Sequence, residues 1–140
     1  MDNNVLISVK TIQRCDGEEL EPVELQTPGK LGRMNQKYYL IYDESEMTGF
    51  PETTTTIKIW EHNVLVTRKG RFNMQLHYKE GEKNLCMYPT PYGTISAAIS
   101  TSAIAYEFEH LTGSLQVDYV LDADNINFIE NSLRITVNPL

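Results

Sequence analysis

The feature that most constrains the fold of this chain is an alternation of apolar and polar side chains with a period of two. The clearest segment carries Phe72, Met74, Leu76 and Tyr78 between polar residues. Successive side chains of a β-strand point to opposite faces, so this period predicts strands with one buried face. Similar runs lie at residues 5–9, 38–42, 53–60, 115–121 and 133–137. Because no apolar stripe of period 3.6 persists, the chain is predicted to be all-β.

Turn signals separate these runs at intervals of about 8–12 residues, which is typical of antiparallel sandwiches and barrels. Examples are Gly32 with Asn35, Glu80 with Gly81, and Thr112 with Gly113. An open sheet of about ten strands would leave unpaired edges, and closure into a barrel removes them. The pattern predicts one antiparallel, mostly up-and-down closed β-barrel of about 8–10 strands, with residues 1–140 as a single domain.

Residues 96–106, with the sequence SAAISTSAIAY, are the best helix candidate because they are rich in alanine. Apolar residues in and around this segment also fit strands: Ile95, Ala97 and Ile99, then Ile104, Tyr106 and Phe108. The helix and the strands fit equally well, and we interpret the segment as two strands joined near Thr101 and Ser102.

The charge balance restricts the partners of this chain, which has 19 acidic and 12 basic residues and a net charge of -7. Nucleic-acid binding rests on Lys and Arg, so no nucleic-acid partner is expected. The N-terminus lacks the pattern of a signal peptide, and no run approaches the roughly 18 apolar residues of a membrane helix. Cys15 and Cys86 belong to no CxxC motif. We therefore expect a cytoplasmic protein with two free thiols and no membrane partner, a single disulfide being the alternative.

No familiar metal, nucleophile or phosphate-binding motif occurs in the sequence. His62, His77 and His110 lie on different segments without metal-ligand spacing, so each is interpreted as a surface histidine. The chain has no GxSxG motif and no P-loop. We therefore assign no catalytic residue, no metal and no cofactor.

One acidic and one basic residue fall on faces that are otherwise apolar. Within the run Asp43-Glu44-Ser45-Glu46, Glu44 shares the face of Leu40 and Tyr42, whereas the two flanking acids are interpreted as solvated. Arg68 similarly shares a face with apolar valines. Because neither charge can stay ionised alone in a dry interior, the two are predicted to pair.

Three roles remain open for this pair. It can be a structural salt bridge, the polar end of a ligand cavity, or a catalytic pair with Glu44 as general base and Arg68 stabilising an anion. The chain has eight tyrosines. They could line a cavity and hydrogen-bond a ligand, or fill the interior and hydrogen-bond one another, and the sequence fits both equally well. The candidate ligand-binding residues are Tyr42, Glu44, Arg68, Tyr88 and Tyr92.

The last two candidates lie in the stretch YPTPYGT at residues 88–94. Pro89 and Pro91 restrict φ and remove two backbone donors, while Gly93 permits positive φ. These features favour a rigid corner between two strands over a ligand-gripping loop.

Several short motifs together resemble the DUF1934 family of small bacterial proteins. In chain order they are ISVK at 7–10, YDESEMTG at 42–49, TTTIKI at 54–59, RKG at 68–70 and YPTPYG at 88–93. The resemblance implies a closed, lipocalin-like (calycin-type) β-barrel and, since the family is one of unknown function, no catalytic or ligand residues. The family usually has Glu in place of Asp43 and a different residue in place of Pro89. The second departure removes a backbone donor and weakens the strand pairing expected there.

The leading hypothesis is a non-enzymatic barrel that binds a small molecule, an inference from fold by analogy. The alternative is a protein–protein interaction or structural barrel whose interior is filled by side chains such as Phe72, Met74 and Tyr78. An enzyme built on Glu44 and Arg68 is the least favoured hypothesis. Oligomeric state and ligand identity cannot be read from the sequence.

Overall fold

The computed structural model describes residues 4–45, 50–90, 93–123 and 126–140, and the side chains of these residues except for 88–90, 123 and 126–128. These ranges form eleven β-strands and no helix, which confirms the all-β prediction. The strands are β1 (Asn4–Cys15), β2 (Glu18–Glu19), β3 (Val23–Met34), β4 (Lys37–Asp43), β5 (Thr53–Trp60), β6 (Asn63–Gly70), β7 (Met74–Lys79), β8 (Lys83–Thr90), β9 (Gly93–Glu109), β10 (Thr112–Ala123) and β11 (Ile126–Pro139). Accordingly, no helix of the described ranges is long and apolar enough to span a membrane.

One antiparallel sheet contains all of these strands. Its order is β7-β6-β5-β4-β3-β1-β11-β10-β9-β8, and the short β2 pairs with β1. Most neighbours in the sheet are also neighbours in the chain, because short turns suffice to connect antiparallel strands. The first and last strands join the two halves, since β1 pairs with β11 from Val5↔Pro139 to Cys15↔Ile129. The predicted up-and-down topology is confirmed.

The two ends of this sheet, β7 and β8, face each other across a seam that carries no backbone ladder in the described residues. Asn84 Nδ2 donates to the His77 carbonyl oxygen across the seam at 3.2 Å. In the turn between the strands, Gly81 N–H donates to the Thr101 carbonyl (2.9 Å), and Thr101 N–H donates to the Glu82 carbonyl (3.1 Å). The barrel is therefore nearly closed. At the seam, hydrogen bonds from the turn and from side chains link the strands, whereas a backbone ladder links them elsewhere.

The inward faces of the strands form one apolar core. In β7, Met74, Leu76 and Tyr78 are buried and Gln75 is exposed, as the alternation predicts. Phe72 precedes the strand and is only half-buried. Among the largest fully buried side chains are Ile7, Leu40, Ile57, Ile59, Ile99, Leu115 and Ile135. The core thus draws on strands from all around the barrel.

The prediction of two strands within residues 96–106 is wrong, because β9 is one continuous strand of 17 residues. It contains a β-bulge where the register with β10 shifts: Thr101 pairs with Tyr119 and Ala103 with Asp118, which leaves Ser102 unpaired. The Ser102 hydroxyl donates to the Asp118 carbonyl oxygen at 3.2 Å. An extra residue of this kind bends a strand and increases its twist without ending it.

The bulge also changes which positions of β9 face the core. Before it, the odd-numbered Ile99 and Thr101 are buried. After it, the even-numbered Ile104, Tyr106 and Phe108 pack against the core. One extra residue moves the inward face from odd to even positions.

Two turn signals were displaced from the actual turns. Gly32 lies inside β3, and the chain reverses at Asn35 and Gln36, whose φ angles are 53° and 65°. Gly113 lies inside β10, and the turn falls at His110, whose φ is 53°. A Cβ at position 113 would collide with the backbone of the neighbouring strand. Gly113 is therefore required because β9 and β10 approach closely there, and not because the chain reverses there.

Candidate functional site

A row of inward-facing side chains crosses four neighbouring strands of the barrel. The register pairs Tyr42 of β4 with Thr55 of β5, Thr55 with Arg68 of β6, and Arg68 with Met74 of β7. Directly opposed residues of paired strands lie within side-chain contact. The sheet therefore brings two hydroxyls, a guanidinium and a thioether together.

Glu44 joins this row although it lies one residue beyond β4. Its backbone N–H donates to the Thr53 carbonyl at 2.8 Å, which extends the strand pairing past Asp43. The alternation consequently continues, and Glu44 shares the inward face of Tyr42. Oε1 of Glu44 lies 3.7 Å from Nε of Arg68. The pairing of these two charges, predicted from their parity, is confirmed.

The carboxylate of Glu44 is well supplied with hydrogen-bond donors. Thr55 Oγ1 donates to Glu44 Oε1 at 2.8 Å, and the Tyr42 hydroxyl also hydrogen-bonds to Glu44. Only 3% of the Glu44 side chain is exposed. Burial of the phenol, followed by the negative charge of Glu44, raises the pKa of Tyr42 far above its usual value, and Arg68 opposes part of this effect. Tyr42 is therefore a neutral donor at physiological pH.

Arg68 has weaker partners than Glu44. Its Nη1 donates to the sulfur of Met74 at 3.4 Å, and its guanidinium carbon lies 4.5 Å from the centre of the Phe50 ring. Its Nε is buried and makes no hydrogen bond with the described residues. The side chain is 16% exposed. Sulfur and an aromatic face are weak acceptors for a group with five N–H donors, so Arg68 is incompletely satisfied.

The ion pair lines a cavity of about 240 Å³ in the barrel interior. Tyr42, Glu44 and Arg68 form what we call the polar pole of this cavity. The walls are largely apolar and include Val9, Leu25, Ile57, Val66, Leu76 and Leu133. An apolar wall with a few placed polar groups is the usual composition of a small-molecule site.

Two amides also line the cavity, outside the polar pole. Gln13 Nε2 donates to Asn131 Oδ1 at 2.9 Å, and Asn131 Nδ2 donates to the Ile129 carbonyl at 3.0 Å. Tyr78 and Tyr119 line it as well, with ring centres 4.7 Å apart in an edge-to-face arrangement. These groups largely satisfy one another, which distinguishes them from Arg68.

Three of the five residues predicted for the site, Tyr42, Glu44 and Arg68, are brought together at the polar pole. The backbone of Tyr88 lies in β8, and its side chain falls outside the description. Tyr92 lies outside the described residues.

The strand pairing around Pro89 is intact, contrary to the weakening expected from its missing donor. Pro89 pairs with Thr94, and the ladder continues to Thr90↔Gly93. Strand β8 is the last in the sheet, so one of its edges pairs with no neighbouring strand. Proline is tolerated in such a strand because the missing N–H donor is not needed on that edge. The described parts of YPTPYGT, residues 88–90 and 93–94, therefore lie in two paired antiparallel strands. The predicted rigid corner at residues 91–92 lies outside the described residues.

Sequence reasoning missed Gln13 and Asn131. Both were detectable, because Gln13 continues the inward parity of Val5, Ile7 and Val9, and Asn131 has the parity of the buried Ile135. A polar residue that continues an apolar face is the signal that also identified Glu44 and Arg68.

The remaining reactive side chains do not converge. Cys15 and Cys86 are free, and burial raises the pKa of the Cys86 thiol. His62 Nδ1 lies 3.0 Å from Glu80 Oε2, and His77 Nε2 lies 3.0 Å from Asn63 Oδ1. Across the described ranges, no three His, Cys, Asp or Glu side chains are placed to hold a metal ion.

Comparisons with known proteins agree with this architecture. A family model described as domain of unknown function (DUF1934) matches residues 7–135. An uncharacterized β-barrel protein of Bacillus subtilis (strain 168), YwiB, is 27% identical over 115 residues, which cover 82% of this chain and 79% of YwiB. The crystal structure of YwiB from Bacillus subtilis matches with a TM-score of 0.84 at 22% identity, over 99% of this chain and 92% of that one. At this identity the structural match establishes the fold alone.

Proposed function

The chain belongs to the DUF1934 family, a domain of unknown function, and on this premise we propose that it is a non-enzymatic protein that binds one small molecule inside its barrel. The observation that carries the proposal is the cavity of about 240 Å³ beside the buried Glu44–Arg68 pair. A small β-barrel has an interior that side chains can fill or that can hold one small ligand. Met74 and Tyr78 are buried in this interior, yet a void lined in part by Tyr78 remains.

The polar pole favours binding over catalysis. Glu44 is engaged by Thr55 and Tyr42, and its nearest cation is Arg68. A general base needs a free lone pair directed at the proton it removes. A carboxylate held by two hydroxyls and an arginine is suited to fixing that arginine in place, which is an orienting role.

The architecture supports a lipocalin-like mode of action, in which an up-and-down barrel encloses its ligand. We further propose a cytoplasmic location in a bacterial cell, because two free cysteines suit a reducing compartment and the named relative is bacterial. The net charge of -7 supports a small-molecule partner over a nucleic acid.

Native mass spectrometry of protein purified from its own host tests the proposal. We expect a mass excess of one small molecule per chain that disappears under denaturing conditions. The variant Leu133→Trp, which fills the cavity, should lose the excess. Thr136→Trp, on the outward face of the same strand, is the matched control and should retain it. An apo mass for the wild-type protein, or an equal excess in Leu133→Trp, would contradict the proposal.

A second candidate function, self-association, is favoured by the outward face of β8. Leu85 is 83% exposed and Met87 is 59% exposed, and their strand is the last of the sheet. Exposed apolar side chains on the outer face of this strand suit packing against the same face of a second copy. Light scattering should then detect a dimer that Leu85→Lys dissociates. A wild-type protein that is monomeric at all concentrations would exclude this candidate.

A further inference from the structure

The hydrogen-bond balance of the polar pole indicates which class of molecule the cavity takes. We infer that the ligand is an uncharged molecule with one acceptor oxygen of the carbonyl or amide type and a compact apolar body. This inference rests on the proposed binding function and specifies it further.

The polar pole has more hydrogen-bond donors than acceptors. Glu44, the acceptor of the pole, receives hydrogen bonds from Thr55 and Tyr42. Arg68 has only the Met74 sulfur as a hydrogen-bond acceptor among the described contacts, and its Nε has none. A guanidinium carries five N–H donors and prefers oxygen acceptors in its plane. The pole therefore lacks an oxygen acceptor, and a ligand can supply one.

The charge of the polar pole also restricts the ligand. Glu44 and Arg68 lie 3.7 Å apart and together carry no net charge, and their side chains are 3% and 16% exposed. A bound carboxylate would leave an uncompensated negative charge in this poorly solvated place, which is costly. The chain's net charge of -7 also disfavours anions at longer range. An ammonium group would face Arg68 directly, so an uncharged acceptor fits best.

The size and the lining of the remaining space restrict the ligand further. A volume of about 240 Å³ is below the roughly 300–1,000 Å³ of typical drug-sized sites, which restricts the ligand to a small molecule. Val9, Leu25 and Leu133 offer an apolar surface for its body. Gln13 and Asn131 hydrogen-bond to each other and so compete little for the ligand's oxygen.

Four probes of similar shape separate these requirements: benzamide, benzoate, benzylamine and toluene. Titration of the ¹⁵N-labelled protein at neutral pH should give the lowest Kd for benzamide. We expect benzoate, benzylamine and toluene each to bind at least tenfold more weakly. Benzoate is negatively charged, benzylamine is positively charged and has no oxygen, and toluene is uncharged but has no oxygen acceptor. The largest amide shifts should fall at the backbone of Tyr42 and Arg68.

The double variant Glu44→Gln/Arg68→Met keeps the approximate volume of the pole and removes both charges. In this variant the preference for benzamide over toluene should disappear, while toluene still binds and shows that the cavity is intact. Thr54→Val, which alters an exposed position on the outward face of β5, is the control and should leave the preference unchanged.

The possible outcomes separate the inference from the proposal on which it depends. If benzoate binds more tightly than benzamide, or toluene equally well, the inferred ligand class is wrong and the binding function stands. If the double variant keeps the benzamide preference, the polar pole is not its source and the inference again fails. If none of the four probes binds the wild-type protein, the inferred ligand class is wrong, and the mass excess of protein purified from its host decides the binding function separately.

Discussion

At the scale of single residues, Glu44 and Arg68 differ in how completely their surroundings supply hydrogen-bond partners. Glu44 is held by two hydroxyls and is nearly inaccessible to solvent, whereas Arg68 donates to a sulfur and covers the Phe50 ring. The two side chains are nevertheless interdependent, because removal of either leaves a poorly solvated charge.

We predict that Glu44→Gln destabilises the protein by about 3 kcal/mol, since breaking a buried ion pair leaves its partner uncompensated. Urea unfolding measures this change. The control is Asp43→Asn: Asp43 is exposed and accepts a hydrogen bond from Thr54, so we expect a change of about 0.5 kcal/mol or less. Adding Arg68→Met to Glu44→Gln should recover part of the loss. Equal stabilities of Glu44→Gln and the wild type would show that the pair is not a buried contact.

Tyr42 makes the free energy of unfolding depend on pH in the alkaline range. In the unfolded chain its phenol ionises near the ordinary pKa of 10.0, while in the folded protein burial and Glu44 raise this pKa. Above about pH 10 the unfolded state therefore binds fewer protons than the folded state, and the free energy of unfolding falls as the pH rises. The contribution of Tyr42 to the free energy of unfolding is fully present below pH 10. Above pH 10 it is lost at no more than about 1.4 kcal/mol per pH unit.

The variant Tyr42→Phe should reduce this alkaline slope, as measured by urea unfolding between pH 9 and 11. Tyr39→Phe, on the opposite face of the same strand, provides the control and should retain the wild-type slope. Tyr106, whose pKa burial also raises, contributes equally to both variants. An identical slope in Tyr42→Phe and the wild type would contradict the assignment.

At the scale of the element, the bulge in β9 shows where periodicity predicts structure well and where it does not. The two apolar phases were readable from the sequence, and both face the core. The sequence could not distinguish a turn from a single extra residue, because Ser102 is compatible with either. The alternation in β4 and β6, which lacks such an interruption, correctly placed Glu44 and Arg68 on the inward face.

Deletion of Ser102 tests this explanation. The shortened β9 would pair regularly with β10 from Thr101 to Ala103 and keep both apolar sets inward, so the variant should fold with modest loss of stability. Deletion of Ala105, in the regular part of the same strand, puts Tyr106 out of phase with Ile104 and should cost more. Near-ultraviolet circular dichroism and thermal unfolding compare the two. A folded Ala105 deletion beside an unfolded Ser102 deletion would refute the assignment of the bulge.

At the scale of the whole molecule, the nearly closed barrel follows from the alternation and the short turns. The seam between β7 and β8 and the cavity do not follow from them. Whether an interior is filled depends on small differences between the backbone envelope and the volume of the side chains within it. Parity predicts that Val9, Leu25 and Leu133 face inward, but it does not predict the space left between them.

A crystal structure of protein isolated from its host without refolding shows whether this cavity holds a small molecule at the polar pole. We expect continuous density for one compact molecule, with an oxygen within hydrogen-bond distance of the Arg68 guanidinium. An interior closed by the side chains that line it, or occupied by ordered water alone, would contradict the proposed function.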